Sequence, residues 1–192
     1  LTSEVLNERL TNVPALIAIP VPFPGNLYGA LVTALWAKER YPEVPIVLGG
    51  GFVNSELRSL SDSRIFEAIN YLCFDDGERP LLQIIESLNE GATPQLLRTM
   101  VCESGEVVLK STEGVSDLHV NSVGTPDYAA VDFTQYISLY ESANPMHTLW
   151  SRRGWLKLRV AHGCYWKKCS FCDVSLDYIG RYQVASIEYL IE

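Results

Sequence analysis

The amino-acid sequence predicts an α/β protein with a partial Rossmann-like parallel sheet, followed by a linker and a shorter strand–loop–helix unit. Three apolar runs of strand length, ALIAIPV, PIVLGGG and INYLCF, alternate with stretches that have the apolar periodicity of helices. Strand–helix alternation of this kind favours right-handed crossovers and therefore parallel strands. A fourth strand-like run, WLKLRVAHG, follows a long stretch of weaker periodicity. These patterns predict an α/β domain over 1–91, a linker over 92–154 and the start of another unit over 155–192.

The first strand and the first helix have clear boundaries. Ala15–Val21 is continuously apolar, as expected of a strand that is buried on both faces. In the next amphipathic stretch apolar residues recur at spacings of three and four, which predicts one apolar stripe on a helix: Leu27, Ala30, Leu31, Ala34 and Leu35. Pro42 ends that helix. A second helix, PLLQIIESL, follows the third strand, with its proline suited to the first turn.

Turn residues follow each predicted strand of this domain. They lie at Phe23–Gly25, Gly49–Gly51 and Asp76–Gly77. Open α/β sheets bind ligands beyond the carboxyl ends of their strands, which is where these three turns fall. Glycines after strands also serve simply to close tight turns. Both interpretations stay open at this point.

The later part of the chain contains a hairpin, a connector and a last strand and helix. MVCESGEVVLKS predicts a small hairpin that turns at Ser104–Gly105. VNSVGTPDYAAVDFTQYISLY is expected to be a connector with a short helix near its end. Trp155–Gly163 alternates apolar and charged residues as a strand does, and SIEYLIE begins a helix.

Composition and charge exclude several classes of protein. The 192 residues are 47% hydrophobic, enough for a buried core, and no apolar run is long enough to cross a membrane. A formal net charge of −8 disfavours nucleic acid and anionic membranes as partners. Five cysteines, three of them crowded together, argue against a secreted disulfide framework and favour a reducing, cytoplasmic location. The chain opens on Leu1 and closes in a helical pattern, so we expect it to be part of a longer protein.

The crowded cysteines form the most specific motif of the sequence. Cys164, Cys169 and Cys172 have the spacing C-x4-C-x2-C on the loop that follows the last predicted strand. A loop this compact can direct three thiolates to one metal centre. An iron–sulfur cubane with three protein ligands leaves one iron open to a small molecule, whereas a structural zinc site is closed. Lys167 and Lys168 would offset the negative charge of the thiolates.

Two other interpretations of the cysteine loop stay open. His162 stands two residues before Cys164, so in a strand both side chains would share one face. One histidine and three cysteines could then hold zinc. Alternatively, the thiols are free.

The cysteine loop resembles the cluster motif of radical S-adenosylmethionine enzymes, although four residues rather than three separate its first two cysteines. Phe171 occupies the place of the aromatic residue that precedes the last cysteine of that motif. The resemblance implies a 4Fe-4S cluster on Cys164, Cys169 and Cys172, and binding of S-adenosylmethionine with Phe171 near its adenine. It also implies that Trp155–Gly163 and the following helix begin a truncated radical SAM barrel.

The N-terminal part resembles the later half of the cobalamin-binding domain that often precedes such barrels. The resemblance is carried by the strands that precede PFPGN, GGG and DDGERPLLQIIESL. The implied cobalamin-side residues are Pro22, Phe23, Pro24, Gly25, Asn26, Gly49, Gly50, Gly51, Gly77 and Glu78. The Asp-x-His-x-x-Gly signature, whose histidine ligates cobalt in many relatives, is not in this sequence.

The function implied is reductive cleavage of S-adenosylmethionine to make a radical for methyl transfer or rearrangement, with an electron donor such as flavodoxin or ferredoxin. Residues 173–192 leave room for one helix, whereas a barrel needs about two hundred residues, so this chain alone is expected to be inactive and no catalytic residue is assigned. Trp155–Gly163 would be an exposed edge, open to self-association.

The rival function is a non-enzymatic zinc-binding interaction module attached to a cofactor-binding domain. A plain nucleotide binder is disfavoured because GGGFVN is not G-x-G-x-x-G.

Overall fold

The structure is a computed structural model that describes residues 2–129, 131–132, 134 and 158–191. The chain divides into two compact units, Leu1–Leu118 and His119–Glu192. The boundary between the units lies well beyond residue 91, where the sequence analysis ended the first domain.

The first unit confirms the three strands and both helices that the sequence predicts, and it adds two short helices and a 3-10 turn. Its helices and strands are α1 (Thr2–Arg9), β1 (Ile17–Pro20), α2 (Pro24–Arg40), β2 (Ile46–Gly49), α3 (Gly51–Glu56), β3 (Tyr71–Cys73), α4 (Glu78–Glu90), β4 (Thr99–Glu103) and β5 (Glu106–Lys110). A 3-10 helix spans Ser63–Glu67.

The five strands form one mixed sheet in the order β1-β2-β3-β4-β5. The first three are parallel, with Ile17 opposite Ile46 and Val47 opposite Tyr71. The predicted parallel sheet is therefore confirmed for these strands. It is wrong for the other two, since β4 pairs antiparallel with β3 and β5 antiparallel with β4. The sheet is thus of an α/β type, with a parallel half that is compatible with a Rossmann-like arrangement.

The hairpin of β4 and β5 turns at Ser104–Gly105, as the sequence predicts. The sequence places this hairpin in a linker, whereas in the structure its two strands extend the sheet of the first unit. Met100 is buried, and Val107 packs against the same core as the parallel strands. Pairing with β4 also satisfies the backbone of β3, which would otherwise be an edge strand.

Side chains on the two faces of the sheet form two apolar clusters. On one face Ile46 and Leu48 pack with Ala30, Ala34 and Ala37 of α2. These small residues let the helix lie close to the strands, and the predicted apolar stripe is confirmed as buried at Ala30 and Ala34. On the other face Val47 and Cys73 pack with Ile84 of α4 and with Leu96. The central strand β2 is therefore buried on both faces.

The first strand departs from its prediction. Only Ile17 and Ile19 face the main core, while Ala18 and Pro20 are exposed. The strand lies at the edge of the sheet, so the expectation that it is buried on both faces is wrong.

The second unit is smaller. Among the described residues it contains a 3-10 helix (Val120–Ser122), β6 (Ala161–His162), α5 (Asp177–Gly180), β7 (Gln183–Val184) and α6 (Ile187–Ile191). Val120, Ala185 and Tyr189 form its buried cluster. The Tyr189 hydroxyl donates to the carbonyl of Gly124 at 2.7 Å.

The last predicted strand is shorter than expected. Of Trp155–Gly163, residues 155–157 lie outside the described part, and the rest contributes only Ala161–His162 as strand. This strand pairs antiparallel with β7 of the same chain, Ala161 opposite Val184. Pairing within the chain weakens the expectation that this segment recruits a second copy. The helix predicted near the end of the connector falls outside the described residues, and a barrel stays a prediction.

Candidate functional site

The cysteine loop begins directly after β6, at a position that only glycine can occupy. Gly163 has a φ of 74°, and a Cβ atom built on it would lie 1.9 Å from the carbonyl oxygen of Arg181. The next amide, that of Cys164, donates to the carbonyl of Ile179 at 2.8 Å. The start of the loop is thus held against the end of α5 and against Arg181 by close backbone contact.

A second glycine closes the other side of the loop. A Cβ atom on Gly180 would lie 2.7 Å from the carbonyl oxygen of Val174. The amide of Val174 in turn donates to the carbonyl of Cys172 at 3.1 Å. Both sides of the cysteine segment are therefore fixed by contacts that leave no room for a side chain.

Within the loop, two backbone amides form local hydrogen bonds, one of them to a thiol sulfur. Lys167 adopts a φ of 52°, and its amide donates to the sulfur of Cys164 at 3.4 Å. The amide of Cys172 donates to the carbonyl of Cys169 at 3.3 Å. The turn at Lys167 thus directs a hydrogen-bond donor at the sulfur of Cys164.

The three loop cysteines are half-buried and none forms a disulfide. Lys168 places its Nζ 5.3 Å from the centre of the Trp166 ring, a cation–π distance. Phe171 is 87% exposed, so the residue predicted to pack on adenine projects from the loop. Tyr165 meets Tyr182 edge to face, with 5.9 Å between ring centres.

Two observations bear on whether this loop can hold a metal centre: the arrangement of its side chains and the chemistry of its donor atoms. Among the described residues, no group of three or more histidine, cysteine or acidic side chains is arranged to hold a metal ion. The three thiol sulfurs therefore do not converge on a single metal position in this structure. The donor set itself fits an iron–sulfur cluster, because these centres take thiolate ligands and the loop offers three unoxidised ones. Binding would require the loop to close while its glycine-fixed ends stay in place.

The zinc interpretation with His162 assumes a continuous strand through Cys164, which would place both side chains on one face. The strand ends at His162, and the left-handed backbone of Gly163 breaks the alternation.

The first unit has a cavity of about 390 Å³ at the carboxyl ends of β1, β2 and β3. It lies where open α/β sheets bind ligands. Its lining consists of Ala18, Ile19, Pro20, Val47, Gly49, Gly50, Cys73, Asp75, Gly77, Glu78 and Leu81. Four of the predicted cobalamin-side residues, Gly49, Gly50, Gly77 and Glu78, therefore share one cavity.

The other predicted residues of this site, Pro22, Phe23, Pro24, Gly25, Asn26 and Gly51, are not part of that lining. Some of them support it. A Cβ on Gly50 would lie 3.0 Å from the backbone of Val21, and one on Gly51 the same distance from the carbonyl oxygen of Pro22. The amide of Phe52 donates to the carbonyl of Val21 at 3.0 Å. The turn after β1 and the glycine turn after β2 thus pack directly on each other, and Gly50 needs its φ of 110° to do so.

The charged groups that line the cavity are both acidic, Asp75 and Glu78. Glu78 lies in the first turn of α4, where a negative charge interacts favourably with the helix dipole. Burial raises the pKa of Cys73 to about 11, so this lining thiol is neutral at physiological pH.

Asp75 is the residue that sequence reasoning missed. Its side chain is 3% exposed and forms ion pairs with Arg58 and Arg98, the latter with 2.9 Å between Nε and Oδ2. Its backbone amide donates to Oδ1 of Asn54 at 2.7 Å. An aspartate directly after a buried strand was the available signal, whereas the predicted site began only at the turn Asp76–Gly77.

A larger cavity, about 490 Å³, lies beside the hairpin and contains none of the predicted site residues. Its charged lining residues, Glu103 and Lys110, are paired with each other at 2.7 Å. In the described part of the chain, no helix has the length and apolar character needed to cross a membrane.

Comparison with known proteins adds no family to this geometry. No protein-family model matches the chain, and no curated protein matches it. The fold defines an α/β protein with a ligand-sized cavity at the carboxyl ends of its parallel strands.

Proposed function

We propose that the chain belongs to a radical S-adenosylmethionine enzyme, with a 4Fe-4S cluster on the cysteine loop and cobalamin at the α/β unit. One observation carries this proposal. Cys164, Cys169 and Cys172 are half-buried, form no disulfide and lie within one short loop whose two sides are fixed at Gly163 and Gly180. Three thiols in such a loop supply the ligands of a cluster that keeps one iron open.

The loop residues would bind and shield the cluster. Metal binding would deprotonate the thiols, and the amide of Lys167, already directed at the sulfur of Cys164, would stabilise that thiolate. The ammonium groups of Lys167 and Lys168 would offset negative charge. Phe171, exposed without a ligand, would cover the adenine of S-adenosylmethionine and exclude water. When bound, the reduced cluster supplies the electron that cleaves the carbon–sulfur bond of S-adenosylmethionine and yields a radical.

The cavity of the first unit is the proposed cobalamin side. Gly49, Gly50 and Gly77 present backbone without side chains, so a large ring can approach closely. Glu78 offers a hydrogen-bond acceptor at the same wall. We assign no cobalt ligand, because the cobalt-ligating signature is not in this sequence.

Anaerobic reconstitution with iron and sulfide tests the cluster. The wild-type chain should become brown and contain iron and sulfide in equal amounts. Cys169→Ala should lose most of the visible absorption. Cys102→Ala is the matched control, because Cys102 is an exposed thiol that is distant in sequence from the cysteine loop. This variant should take up iron and sulfide as the wild type does.

Two results would contradict the proposal. One is a wild-type chain, prepared without oxygen, that takes up neither iron nor sulfide. The other is a colourless protein with stoichiometric zinc that is lost in His162→Ala, which would establish the zinc module instead.

A further inference from the structure

Four charged side chains form a continuous row of ion pairs that begins beside the wall of the 390 Å³ cavity and includes the lining residue Asp75. Arg58 pairs with Asp75, Asp75 with Arg98, and Arg98 with Asp117. The carboxylates of Asp75 and Asp117 are each 3% exposed, and the side chain of Arg98 is 20% exposed. Positive and negative groups alternate, so the buried charges are compensated along the whole row.

The backbone is strained at the centre of this row. Asp75 has a φ of 64° and Arg98 a φ of 42°, values that residues with a Cβ rarely adopt. Phe74, next to Asp75, donates its amide to the carbonyl of Arg98 at 3.0 Å, so the two strained residues lie side by side where β3 and β4 stop pairing. Such strain persists only where the surroundings hold it in place, and it concentrates at functional sites.

Two separate connections lead from the cavity wall to the end of the first unit. The first runs from Asp75, which lines the cavity, through Arg98 to Asp117. The second comes from Arg79, the neighbour of lining residue Glu78, whose Nε donates to the carbonyl of Ser116 at 3.0 Å. Residues 116 and 117 are among the last three of the unit.

We propose that Arg98 is a positioning residue for the cavity: it ties the wall formed by Asp75, Gly77 and Glu78 to segment 116–118. Its planar guanidinium contacts two carboxylates at once, which an ammonium group cannot do with the same geometry. The wall and the segment consequently order or loosen together. A ligand that orders the wall also orders the segment, and by linkage a fixed segment tightens ligand binding.

Hydrogen–deuterium exchange on the ligand-free chain tests this coupling directly. Asp75 pairs with Arg98, which in turn pairs with Asp117, so we expect Asp75→Asn to affect residues 112–118 through Arg98. Asp75→Asn and Arg98→Lys should speed exchange in both 74–81 and 112–118. Asp117→Asn should do the same, acting from the other end. Exchange in strand β2 should rise less than exchange in either of these two segments.

Asp62→Asn is the matched control, because Asp62 forms an exposed ion pair with Arg64 in the same unit. It should leave both segments unchanged. The inference is overturned if Asp75→Asn leaves 112–118 unaffected. It is also overturned if exchange rises equally in β2, since the row would then only stabilise the whole unit.

A second measurement rests on the proposed function for the identity of its probe. Hydroxocobalamin is titrated into the wild type and into Asp117→Asn, and the visible spectrum is followed. Asp117 does not line the cavity, yet its loss should weaken binding about tenfold, a typical size for coupling between sites. Equal affinity in the two proteins would overturn the inference. A wild type that does not bind the probe would sink the cobalamin proposal, and the exchange experiment would still decide the coupling.

Discussion

Replacing Gly163 with alanine would destabilise the start of the cysteine loop for two reasons, whose contributions can be measured separately. The backbone there has a φ of 74°, and a side chain in the left-handed region costs about 1 kcal/mol. In addition, the new Cβ would lie 1.9 Å from the carbonyl oxygen of Arg181, so the backbone must move. That movement breaks the 2.8 Å hydrogen bond from Cys164 to Ile179, which is worth about 1 kcal/mol more. With residual strain, we expect a loss of about 3 kcal/mol.

Gly124→Ala separates the two contributions. Gly124 lies in the same unit with a φ of 85°, but a Cβ there would meet nothing within 4 Å. It should therefore cost only about 1 kcal/mol. Both variants are compared by urea denaturation, and by iron content after anaerobic reconstitution.

Gly163→Ala should be the less stable of the two and should load markedly less iron, because the first cysteine is displaced. If the two variants had equal stability and equal iron content, the loop would not depend on the close backbone contact at Gly163, and this reasoning would be refuted.

Three further predictions concern the first unit. Asp75→Asn should lower the free energy of unfolding by about 3–5 kcal/mol, because the arginines beside it lose a buried counter-charge. Asp62→Asn, at an exposed ion pair, should lower it by less than about 1 kcal/mol, and urea denaturation compares the two variants. Ala34→Leu should cost about 1–3 kcal/mol by overpacking α2 on the sheet, and the half-exposed Leu35→Ala much less, measured in the same way. Since burial raises the pKa of Cys73 to about 11, the unfolded chain loses that proton first, and about 3 kcal/mol of stability should disappear as the pH rises from about 8.5 toward 11. Denaturation of wild type and Cys73→Ala at both ends of that range checks this, and parallel curves would contradict it.

The candidate sites show where sequence patterns suffice and where they do not. The cysteine spacing and the glycines after β2 are visible in the sequence because each is a local motif. The residues that contact these motifs and make their positions important are distant along the chain. Arg181 makes Gly163 indispensable, and Arg58 and Arg98 hold Asp75 from opposite directions in the sequence. An ion pair between residues so far apart leaves no periodic trace.

The sequence by itself determined the type and order of the elements: three strands of the parallel part, the two long helices and the hairpin at Ser104–Gly105. Side-chain periodicity and turn residues encode these locally. Only the tertiary structure decided that the hairpin completes the sheet beside β3, that β1 is an edge, and that four of the predicted residues meet in one cavity. Strand pairing and burial depend on which surfaces meet after the chain has folded back, so they are settled by contacts between segments rather than within them.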